Sequence, residues 1–169
     1  MNLNKLAVTA QEAVQNAMGV ASDSDSAMVE PLHLLKALLD AVGRERLVLD
    51  LSCRRRDDGY YIVTDRWQKF TEERICAKLM DELCRYCDEF LVHAVDVEGK
   101  ANGIETELAA LLGAWGKIPV TYAGGVGSFH DLKQLKQLGR NRLNVTIGSA
   151  LDIFGGTMEF EKVLAYIRE

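Results

Sequence analysis

Leu47-Val48-Leu49-Asp50-Leu51-Ser52-Cys53 is the stretch on which the architecture turns. It is short and nearly all apolar, the mark of a strand buried on both faces in a parallel sheet. Going forward, Asp57-Asp58-Gly59 is a turn, and Tyr60 to Val63 reads as a second strand, forming a hairpin in the strand-to-helix loop. A helix is expected over 71–88, a strand from Phe90 to Val97, a helix over 104–115, a strand from Pro119 to Ala123, a helix over 129–138, a strand from Asn144 to Ile147 and a helix over 159–168. Strands that alternate with helices imply parallel βα units. The expected fold class is α/β, a (β/α)4 half of a TIM-type barrel, because a complete barrel needs about 250 residues and eight such units.

Going backward, the period changes to that of helices. Leu3, Leu6, Ala7, Ala10, Ala13, Val14, Ala17 and Met18 recur at spacings of three and four, giving one apolar face. Ser22-Asp23-Ser24-Asp25-Ser26 reads as a polar loop. Pro31 suits the first turn of a second helix, whose face is Leu32, Leu35, Leu38 and Leu39, and Gly43 is a plausible stop. The expected division is a helical segment over 1–41 and the half-barrel over 42–169.

Composition narrows the function classes. A net charge of −5 gives no basic signature for nucleic acid. No run approaches the roughly 20 apolar residues of a membrane span, and the amino terminus lacks the basic-then-apolar pattern of a signal peptide. Cys53, Cys76, Cys84 and Cys87 without such a signal point to a reducing cytoplasm. Cys84 and Cys87 have metal or redox spacing, but without a second pair they read as ordinary helix cysteines. His33 and His130 likewise have no obvious partners in the sequence.

In α/β barrels the chemistry lies at the carboxyl ends of the strands. Two of these ends are rich in glycine: Ala123-Gly124-Gly125-Val126-Gly127, and Ile147-Gly148-Ser149-Ala150. Glycine lets backbone N–H groups approach an anion with no Cβ in the way, and a helix starting just after adds positive dipole. Gly124, Gly125, Gly148 and Ser149 are therefore candidates for a phosphate site, with a tight turn as the plain alternative. Asp50 is an aspartate inside an apolar strand, a costly placement without a reason. It is either a general acid or base or the partner of a nearby Lys or Arg. Arg54-Arg55-Arg56 would attract an anionic substrate or form a solvated loop. Trp67 and Trp115 read as packing residues rather than stacking platforms.

The segments "LVLDLSCRRR" (47–56), "WQKFT" (67–71), "FLVHAVDVEG" (90–99), "YAGGV" (122–126) and "GSALDIFGG" (148–156) together resemble the eukaryote-type ProFAR isomerases of histidine biosynthesis, over roughly residues 42–169. The resemblance implies an Amadori rearrangement of a phosphorylated ribotide, aminoaldose to aminoketose, with no metal and no organic cofactor. It implies that Asp50 is the general acid that opens the ribose ring, and that Gly124, Gly125, Gly148 and Ser149 hold one substrate phosphate. His93 and Glu98 stand where many bacterial members carry a catalytic threonine and an aspartate. For His93 a hydrogen bond to substrate and a packing role both stay open; Glu98 would orient a loop or contact the imidazole of the substrate. The family's strand-1 aspartate, its first four βα units and its second phosphate site have no counterpart in this sequence, so turnover by the isolated half-barrel is in doubt. Two copies related by a two-fold axis would close an eight-stranded barrel.

"MNLNKLAVTAQEAVQNA" and "VEPLHLLKALL" resemble the start of the amino-terminal domain of Clp-family disaggregases, a helical module that engages proteins. Two unlike halves suggest a fusion, natural or engineered. A non-catalytic phosphate-binding or protein-interaction module, and a recombined chain without evolved function, remain open beside the isomerase.

Overall fold

In a computed structural model, residues 7–168 are described. The elements in chain order are α1 (Val8–Asp23), α2 (Pro31–Val42), β1 (Val48–Arg56), β2 (Gly59–Thr64), β3 (Lys69–Arg74), α3 (Ala77–Leu83), β4 (Glu89–Ala94), α4 (Thr106–Trp115), β5 (Val120–Ala123), α5 (Phe129–Leu138), β6 (Leu143–Thr146) and α6 (Phe160–Ile167). They divide into two compact units. One ends at Leu47 and takes in Tyr86–Asp88; the other holds Val48–Arg85 and the chain from Glu89 onward. None of the described helices is long and apolar enough to cross a membrane.

The second unit is half of a (β/α)8 barrel. Its sheet runs β3-β2-β1-β4-β5-β6. The parallel strands are β1, β4, β5 and β6, and a helix follows each before the next parallel strand or, for β6, the end of the chain. Register divides the side chains cleanly. Leu49, Phe90, Val120 and Leu143 form one row, and Leu51, Val92, Tyr122 and Val145 the next. Phe90, Val92, Val120 and Tyr122 are almost wholly buried, joined by Leu108 and Leu112 of α4 and Leu132 and Leu135 of α5. Side chains alternate across a strand, so the intervening positions face the other way. That opposite face, the lumen side of a barrel, carries Asp50, Leu91, Thr121 and Asn144 in one layer and Ser52, His93, Ala123 and Thr146 in the layer nearer the strands' carboxyl ends.

The hairpin after β1 is larger than the sequence suggests. β2 lies antiparallel to β1 from Arg56↔Gly59 to Cys53↔Ile62, and β3 pairs antiparallel with β2. The helix expected over 71–88 is therefore Ala77–Leu83 alone, because Lys69–Arg74 is strand. The guanidinium groups of Arg54 and Arg56 lie over the Phe70 ring at 5.7 and 5.3 Å, and Thr71 Oγ1 donates to the Ile62 carbonyl at 2.9 Å. Such tertiary partners override the helix preference of Thr-Glu-Glu-Arg. The hairpin also covers part of one seam. Among the described residues, Val48–Ser52 of β1 pairs only with β4, and β6 pairs only with β5.

In the first unit α1 and α2 pack through small residues: Ala13, Ala17 and Ala21 lie at four-residue spacing and are buried, as is Ala37. Leu3 and Leu6 lie outside the described residues. Met18 and Leu32, expected on buried faces, are more than half exposed. Helix α1 also continues through Ser22 and Asp23, shortening the expected loop. Gly43 ends α2 as expected, with φ +80°.

Candidate functional site

The residues proposed for chemistry meet on the lumen face and at the strand ends above it. A cavity of about 120 Å³ is lined by His93, Glu98, Gly124, Gly125, Gly148 and Ser149, among others. Asp50 stands one layer deeper and reaches this group through His93, whose Nδ1 lies 3.1 Å from Asp50 Oδ1. Neither the Lys or Arg partner considered for Asp50 nor simple packing of His93 describes this pair. The Asp50 side chain is 54% exposed and that of His93 23%. The imidazole is therefore the more enclosed of the two.

The glycines differ in what they require. Gly124 and Gly125 have φ of +112° and +77°. A Cβ at 124 would stand 2.7 Å from the Ala94 carbonyl oxygen and 3.2 Å from Glu98 Oε2; one at 125 would stand 2.1 Å from the Gly103 oxygen. No side chain fits either position. Gly148 is different, since a Cβ there would meet no protein atom within 4 Å. Helix α5 carries its own anionic partner at its amino terminus. The buried Asp131 carboxylate accepts from Gly127 N–H at 3.0 Å and from Ser128 Oγ at 2.8 Å, answering the dipole internally. After β6 the chain makes only a single 3-10 turn, Asp152–Phe154, before α6. The two strand ends are thus followed by a helix start that holds its own carboxylate and by a single 3-10 turn.

The chain matches the family described as histidine biosynthesis protein over residues 9–158. It belongs to that family. A chloroplastic 1-(5-phosphoribosyl)-5-((5-phosphoribosylamino)methylideneamino)imidazole-4-carboxamide isomerase of Medicago truncatula is 56% identical over 135 residues, covering 80% of this chain and 43% of the relative. Isomerases of the same name from Yarrowia lipolytica and Debaryomyces hansenii are 45% and 41% identical, covering 72% and 86% of this chain and 48% and 56% of theirs. The chain spans about half the length of the curated relatives it matches. The match begins within α1.

Several residues of the chain matter beyond those singled out from sequence. Ser52 accepts a hydrogen bond from Trp67 Nε1–H at 3.1 Å. Trp67 is 43% exposed, so it is not the packing residue expected; Trp115 is, with its ring 5.6 Å from Phe90 and its N–H on Asp81 Oδ1 at 2.8 Å. Ser52 was findable, since two residues from Asp50 on a strand is the same face. Asp96, between His93 and Glu98, anchors the arginine run: Arg54 Nε and Arg55 N–H donate to its two oxygens at 2.7 and 2.9 Å. Arg55 also pairs with Glu107 at 2.8 Å, and Arg56 lies over the Tyr61 ring. The three arginines are committed to the fold. They lie on β1 rather than in a loop, with Arg55 and Arg56 exposed. Cys53 is buried, and burial first, then Asp96 and Glu105, pushes its thiol up to about 12, far from a reactive thiolate.

Proposed function

We propose that this chain carries the phosphate grip and the proton-handling couple of an aldose–ketose isomerase, acting on a phosphorylated ribotide in an Amadori rearrangement. The observation that carries the reading is the single cavity shared by His93, Glu98, Gly124, Gly125, Gly148 and Ser149, with Asp50 joined to it through His93. In this reading the backbone of Gly124, Gly125, Gly148 and Ser149 holds one phosphate. Asp50 and His93 handle the proton that opens the ribose ring, and Glu98 faces the base of the substrate. Loss of a catalytic base typically lowers a rate by about 10²–10⁴-fold, so a lone half-barrel would bind better than it turns over. The test is calorimetric titration with ribose 5-phosphate, followed by an isomerase assay with the substrate named for the relatives. Binding that Asp50→Asn leaves intact while abolishing turnover supports the assignment. Absence of ribose 5-phosphate binding removes it.

A second copy would supply what one lacks. Val48–Ser52 and β6 are each paired on one side only among the described residues, and unpaired edges invite partners. A two-fold homodimer joined at these seams would present two copies of Asp50 and two phosphate grips. Light scattering that finds only monomer at high concentration counts against it.

The alternative is a protein-interaction role for the Clp-like segment over 1–41, in a cytoplasmic fusion chain. Its support is that α1 and α2 belong to a unit of their own, closed by His33. That ring accepts the Glu30 N–H at Nδ1 at 3.0 Å and meets Ser24 Oγ at Nε2 at 3.1 Å. Deleting residues 1–41 separates the readings: partner capture would be lost under this one, and ribose 5-phosphate binding kept.

A further inference from the structure

Resting on the isomerase reading above, we infer that His93 is the group that hands the proton to substrate and that Asp50 is its positioning partner, not the donor itself. Three observations converge. His93 lines the cavity formed with the glycine loops, and Asp50 is not part of that lining. Strand register gives the reason. His93 shares its layer with Ala123 and Thr146, immediately before Gly124 and the Ile147-Gly148 turn, whereas Asp50 shares its layer with Thr121 and Asn144, two residues deeper. Finally, Nδ1 of the ring is engaged by Asp50 Oδ1 at 3.1 Å. A carboxylate only accepts, so Nδ1 carries a proton and Nε2 is the nitrogen left for the cavity.

This arrangement makes an Asp–His couple in which the carboxylate fixes the tautomer and stabilises the charged ring. The step balances simply. The imidazolium Nε2–H gives its proton to the ribose ring oxygen as the C1–O bond breaks. The bonding pair stays on that oxygen, now a hydroxyl, and the lone pair of the substrate's amine nitrogen closes a C=N bond that carries the positive charge. The ring is left neutral, with Nδ1–H still on Asp50.

The test is ¹⁵N NMR of the full chain, uniformly labelled and read at its backbone amides and at the rings of its three histidines, His33, His93 and His130, with His93→Gln assigning the ring resonance. At pH 8 the expected state of His93 is the Nδ1–H tautomer. Asp50→Ala should shift it toward Nε2–H, and Asp50→Asn, whose carbonyl can still accept, should restore Nδ1–H. Added inorganic phosphate should move the Nε2 resonance together with the Gly148 and Ser149 amides. An Nε2–H tautomer in the wild-type chain, or one unchanged by Asp50→Ala, overturns the couple. Amides that shift while Nε2 stays still overturn the donor role. If no amide shifts, the phosphate reading of the cavity fails, while the tautomer result still decides the couple.

Discussion

Arg54 on β1 and Asp96 in the turn after β4 are 42 residues apart in sequence, and Nε of one stands 2.7 Å from Oδ1 of the other. The same carboxylate takes the Arg55 backbone N–H at 2.9 Å. This one aspartate thus ties the upper part of β1 to the neighbouring strand, just beside the proposed site.

Asp96→Ala strips both bonds and leaves the Arg55 amide without its acceptor; Arg54→Ala strips one. Hydrogen bonds to charged groups contribute about 1.5–3 kcal/mol, and partial exposure of the pair argues for the lower end. The expected order of destabilisation in urea denaturation is Asp96→Ala above Arg54→Ala. Equal midpoints for both variants and the wild type would show that the tie is idle.

The two glycine runs should respond oppositely to alanine. Gly125→Ala combines a left-handed φ with a contact of 2.1 Å to the Gly103 oxygen, so the variant should lose stability by several kcal/mol or fail to fold. Gly148→Ala meets nothing in the protein. It should keep the wild-type melting temperature and weaken ribose 5-phosphate binding. Unchanged binding in Gly148→Ala would place the anion elsewhere.

Alkaline solution should unfold the chain through Cys53 and Tyr60. Burial raises the thiol from 9.0 to about 12, and burial together with the hydrogen bond to Glu105 raises the Tyr60 phenol from 10.0 to about 12. The folded state therefore holds protons that the unfolded chain releases. Their stabilisation is complete below about pH 9 and is lost as pH rises toward 12, by at most about 1.4 kcal/mol per pH unit for each group. Cys53→Ala should flatten the pH 9–12 slope of the denaturation midpoint; an unaltered slope would assign the loss to other groups.

On the acid side the group to watch is Asp81. Its hydrogen bond with Lys117 Nζ at 2.6 Å, then that from Trp115 Nε1, hold its carboxyl below the ordinary 3.8. The contribution is present above that value and fades as pH falls through the lowered one. Melting curves between pH 5 and 2 should converge for wild type and Lys117→Met. Curves that stay parallel would mean the pair contributes nothing.

The alternation of apolar runs with helical segments made the four parallel strands and their helices legible, because one face of each strand carries an apolar row under the helices. The glycine runs were legible for a similar reason, since positions 124 and 125 admit nothing else. What escaped depends on partners far along the chain. Lys69–Arg74 is strand only because Arg54, Arg56 and Ile62 meet it. Trp67 stands exposed in a turn where Asp65, Arg66 and Trp67 all take positive φ, near +53°, +57° and +69°, with no glycine to announce it. The link between Asp50 and His93 needs the register of two parallel strands, which no local pattern encodes. The claim of Asp131 on the amino terminus of α5 was readable as Ser128-x-x-Asp131, close to a capping box.

The layered lumen face has a consequence for how such barrels come apart. Water already suits Asp50, Ser52, His93, Thr121, Asn144 and Thr146, so splitting the cylinder lengthwise uncovers little oil on this half beyond Leu91 and Ala123. What is lost lies along two seams of backbone pairing. A barrel with such a bore would open along its seams with the oily layer under the helices left undisturbed.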